Sequence, residues 1–294
     1  MKMIVCCGKG GVGKSTSVGS LAMHYSDIGL KTAVIDTDGG QSMSRVLGCT
    51  DMRFKPNSFS VVRENLQLAI IDPQPYRGVS ETRAQGGTFD AYLGQFPADL
   101  GIVPLADMMN EFFGVPTDTH LLQQFTQLVG LMDRCHQERV QVLILDVEPT
   151  AGLQRLLSGV NATARSLRNL QKKGRTFLLA VGAAWPDIAA YLKSDYIRAA
   201  DVYADRMERM VWALRHAQFL AVCIPEVDPV LQTYKVRSLV EASGGAIAGY
   251  IINNARSDES ETEAVQLLPT DVSHVWVRRS QTLHRSDDTA RRIQ

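Results

Sequence analysis

Seven short apolar runs, separated by longer helix-forming stretches, restrict the folds open to this chain more than any other feature. A strand buried on both faces of a sheet reads as a continuous apolar run, whereas a strand with one wet face alternates between apolar and polar residues. The runs are MIVCC, TAVID, LQLAIID, VQVLILD, QFLAVCI, AIAGYIIN and HVWVRR. They predict an α/β fold in which a mostly parallel sheet is flanked by helices.

Two stretches of helix-forming sequence are too long for a single crossover between strands. They run from about 77 to 138 and from about 153 to 217. Ligands of open α/β sheets bind at the carboxyl ends of the strands, and we expect these stretches to form an inserted helical layer at that end. The 294 residues, 45% of them hydrophobic, then form one domain spanning residues 1–294.

The overall charge is balanced, with 31 basic and 31 acidic residues. This balance and the acids near the C-terminal arginines disfavour nucleic acid as a partner. No apolar run approaches the ~20 residues that span a bilayer, and the N-terminus has no signal-peptide pattern. We therefore expect a cytoplasmic protein, with any contact to a membrane made peripherally through a partner.

A glycine-rich loop directly follows the first apolar run. Residues 8–15 read GKGGVGKS and match the spacing of a phosphate-binding loop, and a helical segment follows at once. In such a loop successive N–H groups and the positive end of the helix converge on phosphate oxygens, the lysine meets the β- and γ-phosphates, and the serine ligates Mg²⁺. The residues predicted to hold the nucleotide here are Gly8, Gly10, Gly11, Val12, Gly13, Lys14, Ser15 and Thr16.

A second lysine, Lys9, stands at the start of the loop. Phosphate cradling does not require a cation at this position. Lys9 is therefore either a solvated surface lysine or a charge that is presented to the nucleotide of a neighbouring subunit.

The loop KGGVGKS resembles the deviant phosphate loop of SIMIBI-class ATPases. Five further segments are similar to the arsenical-pump and tail-anchored-protein-targeting branch of that class. In chain order they are TDGGQSMSRVLG, NLQLAIIDPQ, ILDVEPTAGLQRLLSG, FLAVCIPEVDPVLQTYKVRSLVE and YIINN. The resemblance implies a P-loop ATPase that hydrolyses ATP with Mg²⁺.

Residue roles follow from the resemblance position by position. Asp38 matches the switch aspartate that positions the attacking water, and Asp146 matches the carboxylate that holds the water shell of Mg²⁺. Asp36 also ends a strand, where it either helps to bind Mg²⁺ or caps a turn. Asn253 matches an asparagine that contacts adenine, and Asn254 takes that part if the turn is shifted.

The resemblance further implies a homodimer in which each Lys9 enters the partner's nucleotide site, together with Lys14 and Asp38 as the catalytic set. The expected function is a dimeric switch ATPase in which ATP drives closure of the dimer. This closure is coupled to a membrane protein partner or an apolar client, with arsenite efflux favoured. The alternative is a partition-type ATPase that positions cargo on DNA or membrane. A metal-insertion factor is less favoured because the sequence has no CxxC pair.

Several features bear on the client without naming it. Cys49 and Cys135 are the only cysteines outside the apolar runs that a metalloid site could use. The two segments that match the family's switches, TDGGQSMSRVLG and ILDVEPTAGLQRLLSG, depart from the family pattern, so the resemblance does not specify the client class. The segments MMNEFFG and LLQQFTQLVGLMDRC carry apolar residues at helical spacing. Those residues either line a groove for an apolar helix or belong to the core or a dimer interface.

Overall fold

The computed structural model describes residues 1–37, 39, 41–50, 52, 54, 58–71, 119–147, 150–184, 204–255 and 263–278. Eight strands form one sheet in the order β3-β4-β2-β5-β1-β6-β7-β8. They are β1 (Lys2–Gly8), β2 (Thr32–Asp36), β3 (Ser60–Arg63), β4 (Leu66–Ile70), β5 (Val142–Asp146), β6 (Gln218–Cys223), β7 (Ala246–Ala255) and β8 (His274–Arg278). All seven predicted runs are strands, and the predicted α/β fold is confirmed.

Along the chain, the described helices lie between these strands. They are α1 (Lys14–Asp27), α2 (Gln41–Val46), α3 (Thr119–Gln137), α4 (Thr150–Ala184), α5 (204–215), α6 (Val227–Ala242) and α7 (Glu263–Gln266). None of the described helices is both long and apolar enough to cross a bilayer. The segment MMNEFFG lies outside the described residues.

The strand β3 is an addition to the predicted sheet. It pairs antiparallel with β4, whereas every other neighbouring pair in the sheet is parallel. Its four residues are half-buried or exposed, so they lack the continuous apolar pattern of the buried strands. Asn65 makes the turn into β4 with a positive φ of 58°, a conformation that asparagine tolerates better than most residues.

The chain divides into two compact units. The sheet unit comprises Met1–Pro73, Gly130–Leu157 and Ala213–Gln294, and the helical unit comprises Gln74–Val129 and Ser158–Trp212. The described residues of the helical unit all belong to α3, α4 and α5. The predicted single domain with two helical insertions stays a prediction.

The parallel register places several strand ends at one edge of the sheet. Asp36 of β2 and Asp146 of β5 lie directly opposite each other, and Gly8 of β1 lies opposite Val222 of β6. The interiors of β1, β2 and β5 are buried, and each buried leucine there contributes about 1.5 to 3 kcal/mol. The core therefore holds the chemistry-bearing strand ends in a fixed arrangement at this edge.

Helix α1 begins and ends at glycines. Gly13 precedes its first turn with a φ of 87°, and Gly29 follows its end with a φ of 83°. A side chain at either position would be strained, because L residues rarely adopt positive φ. The N–H of Gly29 bonds the carbonyl of Ser26, which closes the last turn. The first glycine turns the chain from β1 into the helix, and the N-terminus of α1 comes to lie at the sheet edge described above.

Candidate nucleotide site

The predicted phosphate loop connects β1 to α1 and rests on the ends of β6 and β7. The side chain of Val12 is 2% exposed and packs in a cluster with Val222 and Ile251. Gly8 lies so close to the carbonyl of Val222 that a Cβ there would overlap it. Gly11 has a φ of 83°, so the loop needs glycine here for its conformation. The loop thus packs against β6 and β7 through Gly8 and Val12, while Lys9, Gly10 and Gly11 are exposed to solvent.

Lys14 is buried in the first turn of α1, and its ammonium forms an ion pair with Oδ1 of Asp146 at the end of β5. Its side chain is 7% exposed and that of Asp146 is 1% exposed. A buried charge is costly unless it is paired, so the ion pair offsets part of the cost of burying these two groups. The structure therefore brings the predicted phosphate-binding lysine and the predicted metal-holding aspartate together.

Three predicted metal-binding residues lie at the same edge. Asp36 and Asp146 are fully buried and in register, and Ser15 is half-buried in the first turn of α1. Among the described residues, Oδ2 of Asp146 has no hydrogen-bond partner. Thr37 donates from both its N–H and its Oγ1 to the carbonyl of Asp146, which fixes the end of β5.

These groups fit a magnesium ion bound together with a nucleotide. Magnesium in such sites uses one or two protein oxygens, keeps several waters and takes its remaining ligands from phosphate. A buried carboxylate oxygen without a partner and a serine hydroxyl at the helix start are suitable donors. No cluster of three or more His, Cys, Asp or Glu occurs in the part of the chain that the structure describes, and this kind of site does not need one.

Lys9 is exposed, and its ammonium forms an ion pair with Oδ2 of Asp228 in the first turn of α6. The hydrogen bond from Lys9 is the main cause that lowers the pKa of Asp228, and a hydrogen bond from Gln232 lowers it further. An acid in the first turn of a helix also interacts favourably with the helix dipole. Asp228 did not emerge from the sequence because it lies 219 residues from Lys9. The only local signal is its place in the segment IPEVDP directly after a buried strand.

Asn253 lies near the end of β7 and contacts the phosphate loop itself. Its Nδ2 donates a hydrogen bond of 2.9 Å to the carbonyl of Val12. The neighbouring Asn254 is exposed and has a φ of 58°. The adenine contact expected of either asparagine stays a prediction, and the bond to Val12 was not foreseen.

Of two further predicted site residues, the nucleotide contact Thr16 and the catalytic Asp38, the structure describes only Thr16. Thr16 is exposed in the first turn of α1, and its carbonyl accepts a hydrogen bond from Ser20. Asp38 lies outside the described residues, whereas the adjacent Gly39 is described with a φ of 62°. The roles predicted for Thr16 and Asp38 stay predictions.

All five cysteines are free and buried. Burial raises the pKa of Cys135 to about 12 and also raises the pKa of Cys49. A metalloid ligand must be an accessible thiolate, and burial disfavours that form. Neither candidate cysteine therefore has the surroundings of a metalloid ligand in this structure.

Known proteins are similar to this chain over much of its length. ATPase ARSA1 of Chlamydomonas reinhardtii is 24% identical over 279 residues, which are 86% of this chain and 34% of that protein. ATPase GET3C of Arabidopsis thaliana is 23% identical over 262 residues, 84% of this chain and 65% of that protein. The chain thus covers less than two thirds of the length of these relatives.

The anion-transporting ATPase family matches residues 1–270 of the sequence. The resemblance to the arsenical-pump and targeting ATPases is therefore confirmed at the level of the family, and it supports ATP hydrolysis as the reaction. Because the match covers most of the 294 residues, the chain belongs to the anion-transporting ATPase family.

Proposed function

We propose that this chain binds MgATP at the phosphate loop and hydrolyses it to ADP and phosphate. The observation that carries the proposal is the buried ion pair between Lys14 and Asp146 beside that loop. Phosphoryl transfer depends mainly on positioning and on neutralising charge, and a buried cation at the start of α1 serves both needs. Family membership supports the same reaction.

The side chains at the sheet edge divide the work. Lys14 turns from Asp146 toward the β- and γ-phosphates, which leaves both oxygens of Asp146 for the water shell of the metal. Ser15 and Asp36 lie at the same edge as further oxygen donors. Bound Mg²⁺ would neutralise charge on the phosphate oxygens. Asp38 is proposed to accept a hydrogen bond from the attacking water and so aim it at the γ-phosphate.

We further propose that the ATPase acts as a homodimer, with Lys9 serving the partner's site. The exposure of Lys9 supports this role, because a buried lysine could not reach another subunit. In the single chain the ammonium of Lys9 forms an ion pair with Asp228. Closing the dimer therefore has to replace that carboxylate with a phosphate of the nucleotide bound to the partner. Water screens an exposed ion pair, so breaking this pair costs little and permits such an exchange.

The proposed output is the coupling of this closure to a membrane protein partner or an apolar client, as in the arsenical-pump and targeting ATPases. Relatives carrying the names ARSA1, GET3C and GET3 are similar to the chain at 23% to 25% identity. Measuring turnover with DNA or liposomes added separates this proposal from the partition-type alternative. A positioning ATPase is stimulated by one of them, whereas the proposed ATPase is not.

The first test of the proposal is Lys14→Ala. We expect the variant to lose MgATP binding in isothermal titration and phosphate release in a turnover assay, because no other described cation lies buried at the loop. Lys31→Ala is the control, since Lys31 is an exposed lysine in an ion pair with Glu138. Undiminished ATP affinity and turnover in Lys14→Ala would contradict the assignment of the phosphate loop.

A further inference from the structure

The side chain of Asn253 packs against the phosphate loop, as a hydrogen bond and a close approach both show. Its Nδ2 donates to the carbonyl of Val12 over 2.9 Å in a partly buried position. The next residue, Gly13, leaves room for this amide, because a Cβ on Gly13 would overlap Nδ2 of Asn253. The end of β7 and the loop are thus shaped to fit each other.

The hydrogen bond controls the orientation of one peptide group of the loop. In a planar trans peptide the carbonyl and the following N–H point in opposite directions. Holding the carbonyl of Val12 toward Asn253 therefore directs the N–H of Gly13 away from it. Phosphate loops bind through such N–H groups, and a peptide that is fixed in advance does not have to be ordered when the ligand arrives.

The neighbouring contacts restrict the same segment. The Val12 side chain is buried against Ile251, two residues before Asn253 in β7. On the other side of this peptide, the carbonyl of Gly13 accepts hydrogen bonds from the N–H and the hydroxyl of Ser17 in α1. The Val12–Gly13 peptide is held between β7 and α1, and Asn253 supplies the polar contact to its own carbonyl.

We propose that Asn253 is a positioning residue of the phosphate loop, which presets the loop for the polyphosphate of the nucleotide whatever the base. The inference rests on the proposed nucleotide binding and adds a role for this residue that a contact with adenine does not include. Loss of the side chain is expected to weaken the binding of every polyphosphate by the same factor. Loss of an adenine contact would weaken the binding of ATP alone.

The experiment compares the magnesium complexes of ATP, ITP and inorganic tripolyphosphate by isothermal titration. We expect Asn253→Ala to raise the Kd of all three about five- to tenfold, the size of one lost hydrogen bond, with the ATP-to-ITP ratio unchanged. Asn253→Leu, which keeps most of the side-chain volume, should give the same loss. In turnover assays KM should rise, while kcat at saturating ATP stays within about threefold.

Ser26→Ala is the control for a loss of structure away from the loop. The hydroxyl of Ser26 donates to the carbonyl of Glu64 over 3.0 Å and accepts two hydrogen bonds from Arg63, also in a partly buried position, at the opposite end of α1. Its removal should lower the melting temperature at least as much as Asn253→Ala does while leaving all three Kd values unchanged. A purely structural effect of Asn253 would make the two variants alike in Kd as well.

Two outcomes would overturn the inference. If affinity falls for ATP alone and tripolyphosphate binding is intact, Asn253 contacts adenine and is not a positioning residue of the phosphate loop. Unchanged Kd values for all three ligands would remove any role in binding. Failure of the wild-type protein to bind MgATP is a separate result, which would contradict the proposed function instead.

Discussion

Two aspartates of this protein form ion pairs with lysines in opposite environments. Asp146 and Lys14 are both buried, whereas Asp228 and Lys9 are both exposed, with side chains 62% and 48% accessible. Water stabilises an unpaired charge at the surface but not one in the interior. The two pairs should therefore differ in their contributions to stability, although each joins the same residue types.

We expect Asp146→Asn to lower the free energy of unfolding of the nucleotide-free protein by about 3 to 5 kcal/mol, because it leaves the ammonium of Lys14 buried without a charged partner. Asp228→Asn should leave that free energy nearly unchanged, since its partner can be solvated. Urea titrations of the two variants provide the measurement. Equal losses in both would mean that Lys14 is not buried with Asp146.

Asp38 is the remaining carboxylate of the proposed mechanism. Asp38→Asn should keep MgATP binding while turnover falls by about two to four orders of magnitude, the range expected when a water-positioning group is lost. Titration calorimetry and single-turnover phosphate release separate the two quantities. If binding and rate fall together, Asp38 is a structural or metal-holding residue, and near-normal turnover would shift the water-positioning role to Asp36 or another acid.

Helix α3 carries the apolar stripe that the sequence left open between a client groove and the core. Phe125 is 4% exposed, and Gly159 of α4 lies beneath its ring, where a Cβ would come within 2.7 Å of the ring edge. Leu128 and Val129 on the same helix are also buried. The described part of this stripe is therefore core, and a client cannot reach it without a rearrangement of the helix.

Truncation of this aromatic ring tests the assignment. Phe125→Ala should destabilise the protein by about 3 to 5 kcal/mol, because it removes a buried ring and leaves a cavity. Leu231→Ala on α6 is the comparison, since Leu231 is 47% exposed and should cost about 1 kcal/mol or less. Thermal unfolding measures both. A small loss for Phe125→Ala would place the ring at a surface that a client could use.

The proposed dimer makes turnover depend on a second copy of the chain. Lys9→Ala should bind ATP nearly as the wild type does, yet fail to form an ATP-bound dimer and fail to hydrolyse. Sedimentation velocity with ATP and turnover measured across protein concentrations check this. Lys31→Ala, which also removes an exposed lysine from an ion pair, should leave both unchanged.

Mixing two inactive variants adds a direct test of action in trans. Lys9→Ala can bind ATP but supplies no cation, whereas Lys14→Ala supplies the cation but does not bind ATP. A heterodimer of the two holds one complete site, so activity should return in part if one nucleotide suffices for closure. Turnover of Lys9→Ala at the wild-type rate, independent of concentration, would contradict the trans-lysine mechanism.

Local patterns in the sequence were enough to predict most of the sheet and the phosphate loop. Strands β1, β2 and β5 are continuously apolar because both of their faces are covered, and this pattern can be read without knowing their neighbours. The loop between β1 and α1 could be predicted because its glycines, its lysine and its serine are adjacent in the chain. The half-exposed strand β3 escaped prediction because nothing in its four residues marks burial.

Contacts between distant residues depend on the order of the strands in the sheet. That order could not be predicted from the local pattern of apolar and polar residues. Lys14 meets Asp146 only because β5 enters the sheet beside β1, and Asn253 meets Val12 because β7 lies next to β6 at the same edge. Asp228 reaches Lys9 for a similar reason, across 219 residues. Residue type and spacing thus predict which groups carry chemistry, whereas the partner of each group follows from the packing of parallel strands into one sheet.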